Sequence, residues 1–352
     1  MKNTIYYISE KPIQANHAGN KARIDIDSVL EACEFIKYAT FNQIIVKYKV
    51  EKLLYILQVG YLKKLFKLIK LRDKFLIMQY PFYFDFITRF FFEFALQKNK
   101  TFLFLHDIDS LRSEDNNSVK KEITILNKAE CVVVHNEQMQ KFLMENGLKC
   151  EIINLKIFDY LLKGPLPLQN FKLGYEIVFA GNLAKSNFLK SCKLSKLGVI
   201  FNLYGPGYDK DIIMSKNISY KGSYGPEEIP YKIEGSFGLI WDGDSLDDCS
   251  GIYGKYLKYN NPHKLSLYIA SGIPVITWKK AAIADFIEKY NIGFTVNSIY
   301  EISKTIKKLT LVDYEEYKNN LKNLQKKLCQ GFFTKNALDK INEMMNQNEK
   351  NI

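Results

Sequence analysis

The sequence predicts an α/β protein made of two doubly wound, Rossmann-like domains facing each other across a cleft. Short apolar runs alternate with helical patterns through both halves, and the alternation stops at Lys163-Gly164-Pro165-Leu166-Pro167. Polar or glycine-rich loops follow the apolar runs of the second half. Brief buried strands separated by helices favour parallel sheets covered on both faces. Two prolines beside a glycine suit a linker. The 352 residues suffice for two cores, and no repeat is long enough for a solenoid.

In the first half the pattern places strands at residues 4–8, 43–47, 75–79, 101–105 and 131–134, with helices at 27–38, 84–97 and 119–128. In the second half strands are expected at 175–179, 199–204, 218–220, 237–241 and 274–278, with helices at 188–194 and 263–270. The tail, 314–349, reads as charged helix that packs back across the linker. The expected units are residues 1–163, a linker at 164–172, a second domain at 173–330 and a closing helix at 331–352.

A net charge of +12 implies an acidic partner: nucleic acid, anionic lipid or a phosphorylated substrate. No nucleic-acid-reading signature is present, so nucleic acid is set aside. Six scattered cysteines without CxxC or Cys/His clustering read as reduced, mostly buried thiols. Residues 1–4 run straight into an apolar strand with no signal-type segment, which makes a cytoplasmic location the expectation. Residues 75–96 come nearest to a membrane span, but Asp85, Arg89 and Glu93 interrupt them at helical spacing. A strand followed by a core helix fits better. Residues 62–72 interleave cations and large apolar side chains, as a membrane-surface helix would. A helix with its apolar face on the sheet and its lysines in water fits the same pattern.

The stretch 258–278, KYNNPHKLSLYIASGIPVITW, carries the strongest site signal. Asn260, Asn261, His263 and Lys264 gather at an expected helix start, with Pro262 in its first turn. Such a terminus favours an anion, and Lys264 adds a full charge where a diphosphate can sit. Ligands of open α/β sheets lie beyond the carboxyl ends of the strands. The loops 181–186, 204–207, 220–223 and 242–244 are therefore weighed with 260–264.

Those residues bring a family into view. Gly238-Leu239-Ile240-Trp241-Asp242-Gly243, Cys249-Ser250-Gly251, Tyr256-Leu257 and Asn260-Asn261-Pro262-His263-Lys264 resemble the C-terminal domain of bacterial GT-B glycosyltransferases. The group is the one that holds galactofuranosyltransferases and glucosyltransferase 3-type enzymes. Gly19-Asn20-Lys21-Ala22-Arg23 is similar to its flexible acceptor-side loop, and His106-Asp107-Ile108-Asp109-Ser110-Leu111-Arg112 to its characteristic strand end. The resemblance implies hexose transfer from a UDP-sugar, with no further cofactor. It puts donor contacts on Gly181, Lys185, Tyr220, Asn260, His263 and Lys264, and Gly19 on the acceptor side. From the residues themselves, His17 is on a loop that can close over the acceptor, and Lys21 and Arg23 read as acceptor or phosphate contacts. Retaining members carry two glutamates where this chain has Tyr259 and Leu267, so inversion is expected.

Inversion needs a base from the first domain. Asp107, just past the run 101–105, is the first candidate, followed by Asp109 and His106. His17 is a further option, and His135 with Asn136 can line the same cleft. Asp109 and Ser110 equally suit a turn cap. Asp107-x-Asp109 and Asp242-x-Asp244 are DxD pairs, but the lysines already supply charge, and no metal is expected. The expected partners are the UDP-sugar and a glycan acceptor, lipid-linked or protein-linked; a homo-oligomer stays open. Polysaccharide assembly is preferred to glucosylation of N-acetylglucosamine on a serine-rich adhesin. A silent GT-B partner subunit and a UDP-sugar epimerase are the readings from other classes.

Overall fold

The computed structural model describes residues 4–11, 18–42, 58–82, 86–112, 116–167, 171–210 and 215–350. Within them lie two parallel six-stranded sheets. The first holds β1 (Ile5–Lys11), β2 (Ile36–Asn42), β3 (Phe75–Tyr80), β4 (Lys100–Leu105), β5 (Cys131–Val134) and β6 (Glu151–Asn154). Their order is β2-β1-β3-β4-β5-β6, so the strand direction of travel reverses between β1 and β3. The second holds β7 (Glu176–Ala180), β8 (Ile200–Tyr204), β9 (Ile218–Gly222), β10 (Phe237–Ile240), β11 (Val275–Trp278) and β12 (Gly293–Val296). Its order, β12-β11-β10-β7-β8-β9, reverses between β7 and β10.

The inner strands are apolar on both sides because helices cover both faces. Phe102 and Phe104 of β4 face one core cluster, which continues into the second domain, while Leu103 and Leu105 face the other. Cys131 and Val133 of β5 alternate with Val132 and Val134 in the same way. On the second side, Tyr61, Leu65 and Leu68 of helix Val59–Lys70 and Phe92, Ala95 and Leu96 of helix Phe86–Lys98 close the core. Both of these segments thus sit on the sheet through their apolar faces.

Three expectations change. The helix expected at 27–38 runs from Ala18 to Ala32, because Ala22, Ile26, Val29 and Leu30 form its buried stripe. Residues 36–42 pair with β1 as an edge strand instead, and the strand expected at 43–47 lies outside the described residues. The helix expected at 188–194 is a series of 3-10 turns, Leu183–Lys185, Asn187–Lys190 and Cys192–Lys196. Asn182 and Ser191 accept backbone N–H groups two residues on, which favours short turns over a continuous helix. The charged tail divides at Gly331, where φ is +75°, into helices Leu311–Cys329 and Phe332–Lys350.

The closing helix, Phe332–Lys350, packs on helix Ala18–Ala32 and β6. Its start is held by Asp159, whose carboxylate accepts the N–H of Phe333 at 3.1 Å and of Thr334 at 2.7 Å. Among the described residues, no helix is long and apolar enough to cross a membrane.

Candidate active site

Loops expected on the donor side meet where the second sheet reverses. Gly181 follows β7, Asp242 follows β10, and Lys264 lies in the first turn of helix His263–Ala270. Lys264 Nζ is 2.6 Å from Asp242 Oδ1 and 4.9 Å from the Phe179 ring centroid. A Cβ on Gly181 would come within 3.0 Å of Lys264 Cε, so the glycine leaves room for the lysine arm. At Gly205, with φ of +129°, a Cβ would stand 1.9 Å from the Gly181 carbonyl oxygen. Gly205 N–H donates to Gly222 and Gly181 N–H to Tyr204, each at 2.9 Å. The glycines here bring neighbouring loops into contact and align one rim.

Tyr220 stacks on Tyr208 with centroids 4.3 Å apart, and its hydroxyl donates to the Gly205 carbonyl at 3.2 Å. Lys185 is exposed, its ammonium 5.7 Å from the Tyr253 ring centroid. Across the cleft, Arg112 lies 5.9 Å from the same ring and 5.6 Å from that of Tyr256. Arg112 also bonds Asp107 Oδ2 at 3.1 Å, and Tyr256 Oη accepts the Ile108 N–H at 2.9 Å. Asp107 therefore sits at the carboxyl edge of the first sheet, against an aromatic wall of the second domain. Asp109 faces solvent, and the turn that holds it is capped by Glu122, which accepts the N–H groups of Asp109 and Ser110 at 3.1 and 2.9 Å.

Two of the histidines, His106 and His135, have fixed tautomers. Gln79 Nε2 donates to Asp27 Oδ1 at 2.8 Å, which turns Gln79 Oε1 towards His106 Nε2, 2.7 Å away. His106 thus carries its proton on Nε2. Burial, followed by the charge of Arg23, holds its pKa well below the ordinary value. His135 donates from Nε2 to the Leu105 carbonyl at 3.0 Å and accepts the Asn261 N–H on Nδ1 at 3.0 Å. Burial lowers its pKa to about 4, so it is a neutral structural ring. His263 stacks against Tyr160 at 5.1 Å, with Nε2 shut off from solvent. Burial, then Lys21, lowers its pKa to about 3.

Asn261 pins the domains together. It donates to the carbonyls of His135, at 2.8 Å, and Lys156, and accepts from Asn136 Nδ2 at 2.7 Å. Asn260, its neighbour, has a buried Oδ1 without a hydrogen bond. Asn261 does more in the structure than Asn260, and only its cross-domain partners, more than a hundred residues away, reveal that.

The acceptor-side expectations need correction. Gly19 to Arg23 belong to helix Ala18–Ala32, not to a flexible loop, and His17 lies outside the described residues. Lys21 is buried, 2.6 Å from Asp25 and 3.2 Å from Glu227 of the second domain. Arg23 is buried, 3.2 Å from Glu10 and 2.7 Å from the Pro81 carbonyl. Buried cations need such partners, so both charges are satisfied inside the protein rather than offered to a ligand. Three carboxylates of the DxD pairs are also engaged, Asp107 by Arg112 and Asp242 by Lys264, while Asp244 accepts from Asn187 at 2.8 Å.

Comparison with known proteins agrees with this architecture. A model of the glucosyltransferase 3-like N-terminal domain matches residues 5–157, and one of the C-terminal domain matches residues 177–341. The beta-1,6-galactofuranosyltransferase WbbI of Escherichia coli K12 is 36% identical over 242 residues, 67% of this chain and 69% of that protein. Glucosyltransferase 3 of Streptococcus gordonii is 26% identical over 250 residues, covering 70% and 72%. The solved structure of Anabaena HepE with UDP-glucose shares the fold, with a TM-score of 0.58 and 13% identity over 98% of this chain and 99% of that one. The chain belongs to the glucosyltransferase 3-like family of GT-B glycosyltransferases.

Proposed function

We propose that this chain transfers a hexose from a UDP-sugar to a hydroxyl group of a cell-surface glycan, with inversion at the anomeric carbon and without a metal ion. The observation that carries the reading is the convergence of Gly181, Asp242 and Lys264 at the reversal point of the second sheet. Open α/β sheets bind ligands at that point, and a helix N-terminus with a lysine suits a diphosphate.

In the proposed reaction Asp107 takes the proton of the acceptor hydroxyl as its oxygen bonds to the anomeric carbon. The bond from that carbon to the β-phosphate oxygen breaks on the opposite face, and its electron pair leaves with UDP. Lys264, Lys185 and the amino end of helix His263–Ala270 offset the charge that develops on the phosphate. Two lysines supply this charge without recourse to the DxD pairs, whose first carboxylates already hold cations.

Galactofuranose is the donor sugar to test first, because the relative named as a galactofuranosyltransferase shares 36% identity. The relative named glucosyltransferase 3 keeps glucose as the second donor. The test is calorimetric titration with UDP and its galactofuranose, galactose, glucose and N-acetylglucosamine derivatives, with and without EDTA. Binding of one UDP-sugar that EDTA leaves unchanged supports the reading. No binding of any of them moves the assignment to a silent partner subunit; release of an isomerised free UDP-sugar without acceptor moves it to an epimerase.

A further inference from the structure

Helix Val59–Lys70 has two unlike stripes. Tyr61, Leu65 and Leu68 are buried against the sheet, whereas Val59, Lys63, Phe66 and Lys70 follow one another at helical spacing on the exposed side. Val59 is 68% exposed and Phe66 54%. Helix Phe86–Lys98 lies alongside and repeats the arrangement: Thr88, Phe92, Ala95 and Leu96 are buried, but Phe86 is 86% exposed and Phe90 60%.

The two helices run in the same direction. Tyr61 Oη is 2.9 Å from Thr88 Oγ1, Phe66 packs edge-on to Phe91 at 6.3 Å, and the Arg72 guanidinium lies 5.4 Å from the Phe94 ring. Val59 and Phe86 are therefore at one end, with Phe66 and Phe90 next along. Among the described residues of the two helices, the charge of this face is one-sided. Val59–Lys70 carries four lysines and no acid, and Glu93 on the neighbouring helix is held by Arg89 at 3.0 Å and Lys128 at 3.4 Å.

We propose that this two-helix face docks on an anionic lipid bilayer. Phe66, Phe86 and Phe90 enter the headgroup boundary, and Lys63 and Lys70 meet the lipid phosphates. Exposed phenylalanines beside lysines match a surface that is apolar below and negative above. A second copy of the chain is a poorer match, because a self-contact would set one lysine row against the other. Helix Phe86–Lys98 follows the carboxyl end of β3, the edge of the sheet that also bears Asp107. A docked membrane would thus lie beside the proposed acceptor side, where a lipid-linked glycan can enter. The docking stands independently of the transfer reading.

The test is co-sedimentation of the full-length protein with vesicles of phosphatidylglycerol and phosphatidylcholine, and with phosphatidylcholine alone, at low and high salt. Binding to the anionic vesicles that high salt weakens is expected. The pairs Phe86→Ser with Phe90→Ser, and Lys63→Glu with Lys70→Glu, should each lower partitioning roughly tenfold or more. Thermal unfolding of both variants should match that of the unmodified protein, since the four side chains are exposed. Failure to bind anionic vesicles overturns the proposal, as does unaltered binding by both variants. Light scattering that shows a dimer, dispersed by the phenylalanine variant and indifferent to vesicles, overturns it in favour of self-association.

Discussion

Lys264 Nζ and Asp242 Oδ1 are 2.6 Å apart, so the cation at the donor cleft is held by an anion at the end of the adjoining strand. The pair is partly open, with 17% of the lysine side chain and 28% of the aspartate accessible. If the diphosphate binds here as proposed, it meets an ammonium already positioned and only partly neutralised. Lys264→Ala should weaken UDP binding about tenfold or more, the loss of one charge-assisted contact. Calorimetry checks this, and equal affinity in the two proteins would remove the diphosphate from this place.

Asp107 is assigned to chemistry rather than to donor binding. Asp107→Asn should leave UDP affinity unchanged and lower the transfer rate by about 10²–10⁴-fold, the usual share of a general base. Single-turnover assays read the rate, and calorimetry the affinity. A variant that still transfers at the normal rate would shift the role to another group.

The alignment of the donor rim depends on a missing side chain. Gly205→Ala places a Cβ on the Gly181 carbonyl oxygen, at a backbone angle that alanine resists, and should cost about 3 kcal/mol or more. Gly147 also has positive φ, +96°, but nothing stands within 4 Å, so Gly147→Ala should cost only about 1 kcal/mol. Urea unfolding midpoints compare the two, and equal costs would show that the close approach does not matter.

Asp159 predicts a pH dependence. Burial raises its pKa to about 6, against the opposing effect of the Thr334 and Phe333 N–H groups. A carboxyl raised in the folded state stabilises most when it is protonated. Its contribution is full below the unfolded value of about 3.9 and declines as pH rises through about 6. Asp159→Ala should therefore destabilise more at pH near 4 than at pH near 8. Chemical unfolding at both values tests the sign, and the reverse order would mean that the carboxylate form is the one favoured at the helix start.

The strands that carry the site were legible because burial on two faces leaves unbroken apolar runs, and the next residue falls at the cleft. Asp107 was proposed from its place after such a run, and Lys264 from the polar cluster at a helix start. Lys21 and Arg23 were misread because a cation's fate depends on acids elsewhere in the fold. Asp25 lies one helical turn away, but Glu10 and especially Glu227 cannot be matched to them by spacing. Arg112, Tyr253 and Tyr256 were missed for the same reason, since their shared wall exists only once the domains meet. The exposed phenylalanines of helix Phe86–Lys98 escaped notice because aromatic density alone does not separate a core helix from a half-covered one. Its buried stripe, Thr88, Phe92, Ala95 and Leu96, carries only one of the helix's phenylalanines.

The knot that Asn261 ties with His135, Asn136 and Lys156 also fixes the spacing between the two proposed site residues that lie on opposite halves. Each of its bonds is worth about 0.5–1.5 kcal/mol and, being inside the protein, is costly to leave unmade. Lys264 lies three residues after Asn261, in the first turn of its helix, and the Ile108 N–H bond to Tyr256 Oη ties the neighbour of Asp107 to the same domain. The knot and that bond together hold Asp107 and Lys264 in register across the junction of the two halves.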